Sequence, residues 1–565
     1  MGPLVVRSVL VLGLLFGLVF ALATAALFAC GAPVWIAVPV ALLLMGLQYL
    51  LSPWLIQLFF KIQWLEPKDT PDFVRSLLED LSARHHLRVP RFGIIPDGNP
   101  NAFTFGHHPG NARIVITQGL LDLCDEKEVR AVVGHEFGHV VHWDFVVMTI
   151  AATLVMILYY IYVFGRYSGS RRDRGGGVVV LVALGAYIAY IIGEYLVLFL
   201  SRVREYYADR YSAEITGNPN ALGTALVKIA YGLARSGAAS GVSVGAEAAQ
   251  TAKQRQEQRD AARLSPMRGF RSMGIFDPGM GASLALAAAG SYSTGDGAAA
   301  YDPHVMVKAM EWDLFNPWAW ICEISSSHPL PAKRIRALSK YSDHLGQPRL
   351  FDFPERPAES YWDEFATDLL VYYLPAIMAL VGLGAGLGLA VGKLREPPGM
   401  LIVVGGAVLG AGVGSLVRLG FMYPQRGFPE SKVADLVSEV KVSKIRCIPA
   451  TLQGEVIGRG IPGLYWSEDL VVRDDTGFMV LDYRQPLRIL EFLFGLFRAE
   501  QFVGQTISAV GWYRRFPRPY LEAWKIRTLD GAVNTCWSWW LQKVLIGVML
   551  VLGVGCLVAG LLLAA

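Results

Sequence analysis

The stretch GHEFGHVVHWDFVVMTIAATLVMILYYIYVF, residues 134–164, decides how the rest of the chain is read. It begins as an amphipathic, chemically loaded helix and ends as a membrane span. Asp125 stands at the expected N-cap of the first helix, with Glu128 three residues on, the pattern of a capping box. The helix then carries His135-Glu136-Phe137-Gly138-His139, an HExxH motif. At a spacing of i and i+4 both imidazoles leave one helix face and can grip one zinc ion. Glu136 beside them can act as a general base on water. A few residues later the apolar run Val146–Phe164 is long enough to cross a bilayer.

Composition agrees with a chain divided between lipid and water. Hydrophobic residues make up 53% of the 565 and charged residues only 17%. The mean hydropathy is +0.39. Both values exclude disorder and an ordinary soluble enzyme, yet the charge is too high for a purely intramembrane bundle. The net charge of +4 argues against a nucleic-acid partner. The six cysteines are scattered without a CxxC, so neither a disulfide framework nor a cysteine zinc site is expected.

Seven spans are expected. No charge occurs from Ser8 to Phe60, enough for two helices broken at Cys30-Gly31-Ala32-Pro33. A retained hairpin fits this better than a signal peptide, because a second apolar run follows at once. The other spans read at 146–164, 176–200, 369–391, 400–417 and 544–565. Gly384 and Gly388, and Gly406, Gly410 and Gly414, are spaced by four and predict a small-residue packing face.

Zinc requires a third protein ligand. His142, His328 and Glu205 are the candidates. Two turns of helix separate His135 from His142 by about 10 Å, too far for one ion held by His139 as well. Glu205 is favoured because the spans 146–164 and 176–200 form an antiparallel hairpin that returns it to the side of the HExxH helix. Asp209 follows Glu205 by four, so one carboxylate can bind the metal while the other orients a histidine.

Three segments carry a family resemblance: GHEFGHVVHWDFVVMTIAAT at 134–153, SRVREYYADRYSAEITGNPNAL at 201–222 and SSSHPLPAKRIRAL at 325–338. With Pro100-Asn101-Ala102-Phe103 and the run Arg113–Leu121 they resemble the HtpX-like integral-membrane zinc proteases. These are relatives of the CAAX prenyl endoproteases in the gluzincin group. The resemblance covers residues 1 to about 345. It implies one zinc per chain held by His135, His139 and Glu205, with Glu136 as catalytic base and Asp209 behind a ligand histidine. Asp144 matches the family's aspartate after the zinc helix. His328 and Arg334 match residues near the family's active site, where an N–H or a cation can stabilise an oxyanion. Asn101, Ala102 and Phe103 are expected on an edge strand that binds extended polypeptide substrates.

The expected fold is therefore a polytopic α-helical membrane protein with a mainly helical protease domain and a small sheet. Residues 1–60 form a transmembrane hairpin, 61–345 the protease with a loose insertion at 236–300, and 346–420 a linker and hairpin. Residues 421–541 form a β-rich, OB-like barrel and 542–565 a final span. The insertion reads as a lid or as a surface loop. Asp475-Thr476-Gly477 reads as a hairpin turn. The lone GxGxxG at Gly458, Gly460 and Gly463 precedes no helix, which excludes dinucleotide binding.

Basic residues Lys61, Arg202, Arg204, Arg210, Arg418 and Lys543 lie on the zinc side, while Arg166, Arg171, Arg172 and Arg174 oppose them. The resemblance implies an inner-membrane protein with a cytoplasmic site, acting in quality control. A narrow processing protease and an inert scaffold that recruits partners through the barrel are the alternatives. A transporter is disfavoured, because Glu194 is nearly alone as a charge within the spans.

Overall fold

A computed structural model describes residues 34–168, 176–231, 303–392 and 396–564, apart from single positions 325, 358, 426, 463, 465 and 517, with scattered positions before residue 23. Most of the first expected span, the 236–300 insertion and most of the 166–174 loop lie outside the described residues, as does Cys30. The other five cysteines are free.

The uncharged helix α1 (Val34–Phe59) leads into a four-stranded sheet. Its elements are β1 (Gln63–Trp64), α2 (Asp72–Arg84), β2 (Arg91–Ile95), β3 (Ala102–Phe105) and β4 (Arg113–Thr117). The strand order is β1-β2-β4-β3. β4 pairs parallel with β2 and antiparallel with β3, matching Phe103 to Val115. β3 is thus an edge strand, as the sequence predicts. The apolar side of the sheet packs on α3 (Glu126–Val141), the HExxH helix, through Phe92, Ile114, Ile116, Val129 and Phe137.

After a break at His142 and Trp143 comes α4 (Asp144–Ser168), then the 41-residue α5 (Gly176–Thr216). At 1.5 Å per residue α5 is about 60 Å long, twice a hydrocarbon core. Charges from Arg202 onward end the lipid-facing part but not the helix, so one rigid rod joins the membrane to the site. Helices α6 (Pro303–Phe315) and α7 (Pro331–His344) complete this mainly helical part of the chain.

The helices α8 (Trp362–Leu389), α9 (Pro397–Met422) and α11 (Ser538–Ala564) pack with α9 in the middle. Five helices among the described residues are long and apolar enough to cross a membrane: α4, α5, α8, α9 and α11. Gly406, Gly410 and Gly414 do form the expected packing face. A Cβ at Gly410 would lie 2.0 Å from the Met378 carbonyl oxygen. The glycines of α8 that meet α9 are Gly382 and Gly386, however, not Gly384 and Gly388, which face open space. A spacing of four identifies a face but not which of two neighbouring faces meets the next helix.

Between α9 and α11 lies a barrel of β5 (Ile448–Arg459), β6 (Leu470–Arg473), β7 (Phe478–Asp482), helix α10 (Arg488–Phe497), β8 (Thr506–Arg515) and β9 (Pro519–Thr528). The circuit β5-β6-β7-β9-β8 closes back on β5, and β10 (Val533–Thr535) adds to β9. With β7 and β9 parallel and a helix between β7 and β8, this is the five-stranded OB-like arrangement. The β6–β7 turn is held by Asp474, whose Oδ1 accepts from the backbone N–H of Thr476 and Gly477 at 2.7 and 2.8 Å.

The barrel is not a detached module. One apolar core runs from Leu78 and Phe137 through Ala309 and Met310 to Val433, Leu452 and Ile526. Arg515, fully buried, donates to Asp313 Oδ1 and the Ala309 carbonyl oxygen, both at 2.9 Å. The rejected glycine motif has a packing role. A Cβ on Gly458 would sit 2.3 Å from Asp97 Oδ1, and Asn99 Nδ2 donates to the Arg459 carbonyl oxygen at 2.9 Å. The barrel thus abuts the loop that leads into β3.

Candidate metal centre

Helix α3 starts as its sequence requires. Asp125 accepts from the Glu128 N–H at 2.9 Å, and Glu128 accepts from the Asp125 N–H at 2.8 Å. Glycines flank the first histidine of HExxH and let α5 come close. A Cβ on Gly134 would meet Ile215 Cδ1 at 2.7 Å, and one on Gly138 would meet Ala208 Cα at 3.2 Å. This approach sets Glu205 beside both histidines.

Glu205 Oε2 lies 3.6 Å from His135 Nε2, and Oε1 lies 3.5 Å from His139 Nε2. The two Nε2 atoms are 3.1 Å apart. These three residues are the only group of its kind among the described residues that could hold a metal ion, with ligand atoms within 4.8 Å of one another. His142 is not in it. Its ring meets Tyr207 and Tyr211 edge-on, and burial lowers its pKa to about 4.

Each histidine is backed by a carboxylate. His135 Nδ1 lies 3.0 Å from Asp209 Oδ1, and His139 Nδ1 lies 2.6 Å from Asp144 Oδ2. A carboxylate at Nδ1 places the ring proton there and leaves Nε2 with its lone pair. Two Nε2 lone pairs and a carboxylate then face one another at contact distance in a buried site. That arrangement repels itself until a cation occupies the space between, so the donor set fits zinc. The field has the same sign. Burial opposes protonation of His135, but hydrogen bonds to Asp209 and Glu205 outweigh it and push its pKa up to about 10. His139 is raised likewise against burial, chiefly by Asp144.

Between the HExxH helix and Asp144 the helix breaks at Trp143, held at φ 59°, a left-handed conformation uncommon for a bulky residue. The buried Arg204 pairs with Asp144 and donates to the His142 carbonyl oxygen at 2.6 Å. Arg202 donates to the carbonyl oxygens of Glu323 and Ser326, both at 2.7 Å. Neither arginine is the cation of Glu205. That cation is Arg334, 4% exposed, with Nη1 2.9 Å from Glu205 Oε2 and Nη2 2.6 Å from Asp209 Oδ1. Burial works against its charge, yet Asp209 and Glu205 raise its pKa above the usual arginine value. His328 Nε2 lies 3.3 Å from Glu205 Oε1, and burial lowers its pKa.

Glu136 is buried, and Thr104 Oγ1 lies 2.8 Å from its Oε2 and 3.2 Å from its carbonyl oxygen. Thr104 sits on β3, one residue beyond the Asn101–Phe103 segment singled out in the sequence. Asn101 is buried just before the strand, and its N–H donates to Thr117 Oγ1 at 2.7 Å. The contacts of Thr104 and Asp144 were not foreseen. The regular alternation of β3 puts Thr104 on the face of Ala102, which was the available signal.

Residues 70–342 match the sequence profile of peptidase family M48. The chain is 38% identical over 233 residues to a protease HtpX homolog of Methanothermobacter thermautotrophicus, covering 86% of that protein and 40% of this one. It is 34% identical to a protease HtpX homolog of Moorella thermoacetica, over 66% of that protein and 34% of this chain. Among solved structures, the crystal structure of S. mikatae Ste24p aligns at 19% identity and a TM-score of 0.27, over 57% of that chain and 39% of this one, too low a score to bear on the fold. The family match ends before α8, so the last three long helices and the barrel lie beyond it. Because 86% of the Methanothermobacter protein is matched at 38% identity, this chain belongs to peptidase family M48 and is an HtpX-like membrane metalloprotease.

Proposed function

We propose that the chain is a zinc-dependent endopeptidase that cleaves membrane or membrane-associated proteins in quality control, with its site on the cytoplasmic face of the inner membrane. The observation that carries the proposal is the convergence of His135 Nε2, His139 Nε2 and a Glu205 carboxylate on one buried point. His135, His139 and Glu205 would hold one zinc ion, which supplies a Lewis acid beside Glu136. Asp209 and Asp144 hold the two rings in the ligating tautomer.

Glu136 takes the proton of the attacking water and passes it to the leaving amine. Thr104 holds the Glu136 carboxylate through its hydroxyl, which ties the base to the edge strand. A substrate pairing in extended form with Ala102–Phe105 would therefore lie along the strand that touches the base. His328 supplies an N–H at the rim of the same site for the developing oxyanion. Arg334, held between Asp209 and Glu205, acts as a positioning residue. The basic residues Lys61, Arg418 and Lys543 at the ends of α1, α9 and α11 support the cytoplasmic orientation.

The test is substrate capture in native membranes by Glu136→Gln, alongside cleavage of an unfolded membrane protein by the purified parent. Cleavage should stop with a chelator and return with zinc, and the captured proteins should be varied membrane proteins. A single captured species would point to a narrow processing enzyme. Cleavage indifferent to chelation would contradict the zinc reading, and no cleavage with partners bound only to the barrel would point to a scaffold.

A further inference from the structure

Helix α10, Arg488-Ile-Leu-Glu-Phe-Leu-Phe-Gly-Leu-Phe497, the ten-residue helix between β7 and β8, leaves much of its apolar surface exposed. Its inner side is fixed to the barrel. Phe494 is buried, stacked on Tyr483 with ring centroids 3.8 Å apart, and a Cβ on Gly495 would meet the Trp466 carbonyl oxygen at 2.3 Å. The other side presents Ile489, Leu490, Leu493, Leu496 and Phe497, spaced at three and four and all exposed, Phe497 at 65%. No element covers this face among the described residues. Contiguous large apolar side chains are not left to water without a partner.

Its position identifies that partner. At one end, Trp466 bridges Phe492 to Phe59, with centroids 6.5 and 5.2 Å apart, and Phe59 is the last residue of the uncharged α1. Lys61 then pairs with Glu500 just beyond α10, at 3.4 Å. At the other end, Gln485 donates to the Thr535 carbonyl oxygen at 3.0 Å and accepts from the Trp537 N–H at 3.4 Å. Trp537 and Trp540 stand half-exposed where α11 begins. Tryptophans at the start of a span mark the headgroup level. α10 is therefore hung between the end of the uncharged α1 and the start of the span α11, at the height where α11 enters the hydrocarbon. Arg488 and Arg498, both exposed, flank the apolar face and suit lipid phosphates.

We propose that α10 lies in the plane of the bilayer interface, with Leu493 and Phe497 among the acyl chains and the flanking arginines at the phosphates. The barrel is then seated on lipid as well as on the protease. Because the barrel also abuts the Asp97–Asn101 loop leading into β3, the bilayer fixes the height of the edge strand above the membrane.

The full chain is reconstituted into phosphatidylethanolamine/phosphatidylglycerol vesicles carrying an alkyne-tagged acyl chain. A benzophenone amino acid replaces Leu493 or Phe497 in separate preparations, and Lys340, exposed on α7, in a control. Irradiation should give tagged-lipid adducts from 493 and 497 and none from 340. Adducts from 493 and 497 to protein alone, whether to another part of this chain, a second copy or a different protein, would overturn the proposal. So would lipid labelling no stronger than at 340. The readout needs no catalysis, so it stands or falls apart from the protease reading.

Discussion

Glu136→Gln is expected to lower peptide-bond cleavage by about 10²–10⁴-fold, the usual contribution of a positioned general base. The loss should fall on kcat, because glutamine keeps the shape of the side chain and can still accept from Thr104. The ligand set of His135, His139 and Glu205 is untouched, so bound zinc should stay at the parent level. Cleavage of an unfolded membrane substrate and metal analysis on the same preparation separate the two effects. A variant that cleaves at the parent rate would remove Glu136 from its role, whatever the metal content.

Arg334→Met should destabilise the fold by about 3–5 kcal/mol, the cost of stripping one partner from a buried ion pair. Glu205 and Asp209 would be left as two buried carboxylates one helical turn apart, with their shared cation gone. The measurement is the thermal midpoint in detergent with a chelator present, so that metal cannot replace the lost charge. Arg334→Lys should lie between, because a single ammonium cannot make both contacts of the guanidinium fork. An unchanged midpoint for Arg334→Met would show that the arginine is not needed to balance these carboxylates.

The chemistry was legible because it is local. HExxH depends on helical spacing, the capping box on four residues, and Glu205 on a hairpin whose two arms are apolar enough to recognise. The edge strand and the Asp474–Gly477 turn also follow from short patterns. What escaped depends on the phase of one element against another. Gly382 and Gly386, rather than Gly384 and Gly388, meet α9 because nothing in α8 alone says which face its neighbour takes. Asp144 stands behind His139 across a helix break at Trp143 whose geometry the local sequence does not specify. Arg514 and Arg515 stand side by side on β8 and both are buried, against Glu522 and Asp313. Their burial is what ties the barrel to the membrane helices and the protease. Asp313 stands 202 residues before Arg515 in the chain, beyond any local pattern.

The most direct test of the metal centre is zinc per chain, measured on the detergent-purified full-length protein for the parent, His139→Ala and Glu205→Ala, with circular dichroism to confirm folding. About one zinc is expected in the parent, the stoichiometry of a three-ligand catalytic site. Both folded variants should lose it together with cleavage. A folded Glu205→Ala protein that keeps its full zinc would contradict the assignment, because the third ligand would then lie elsewhere.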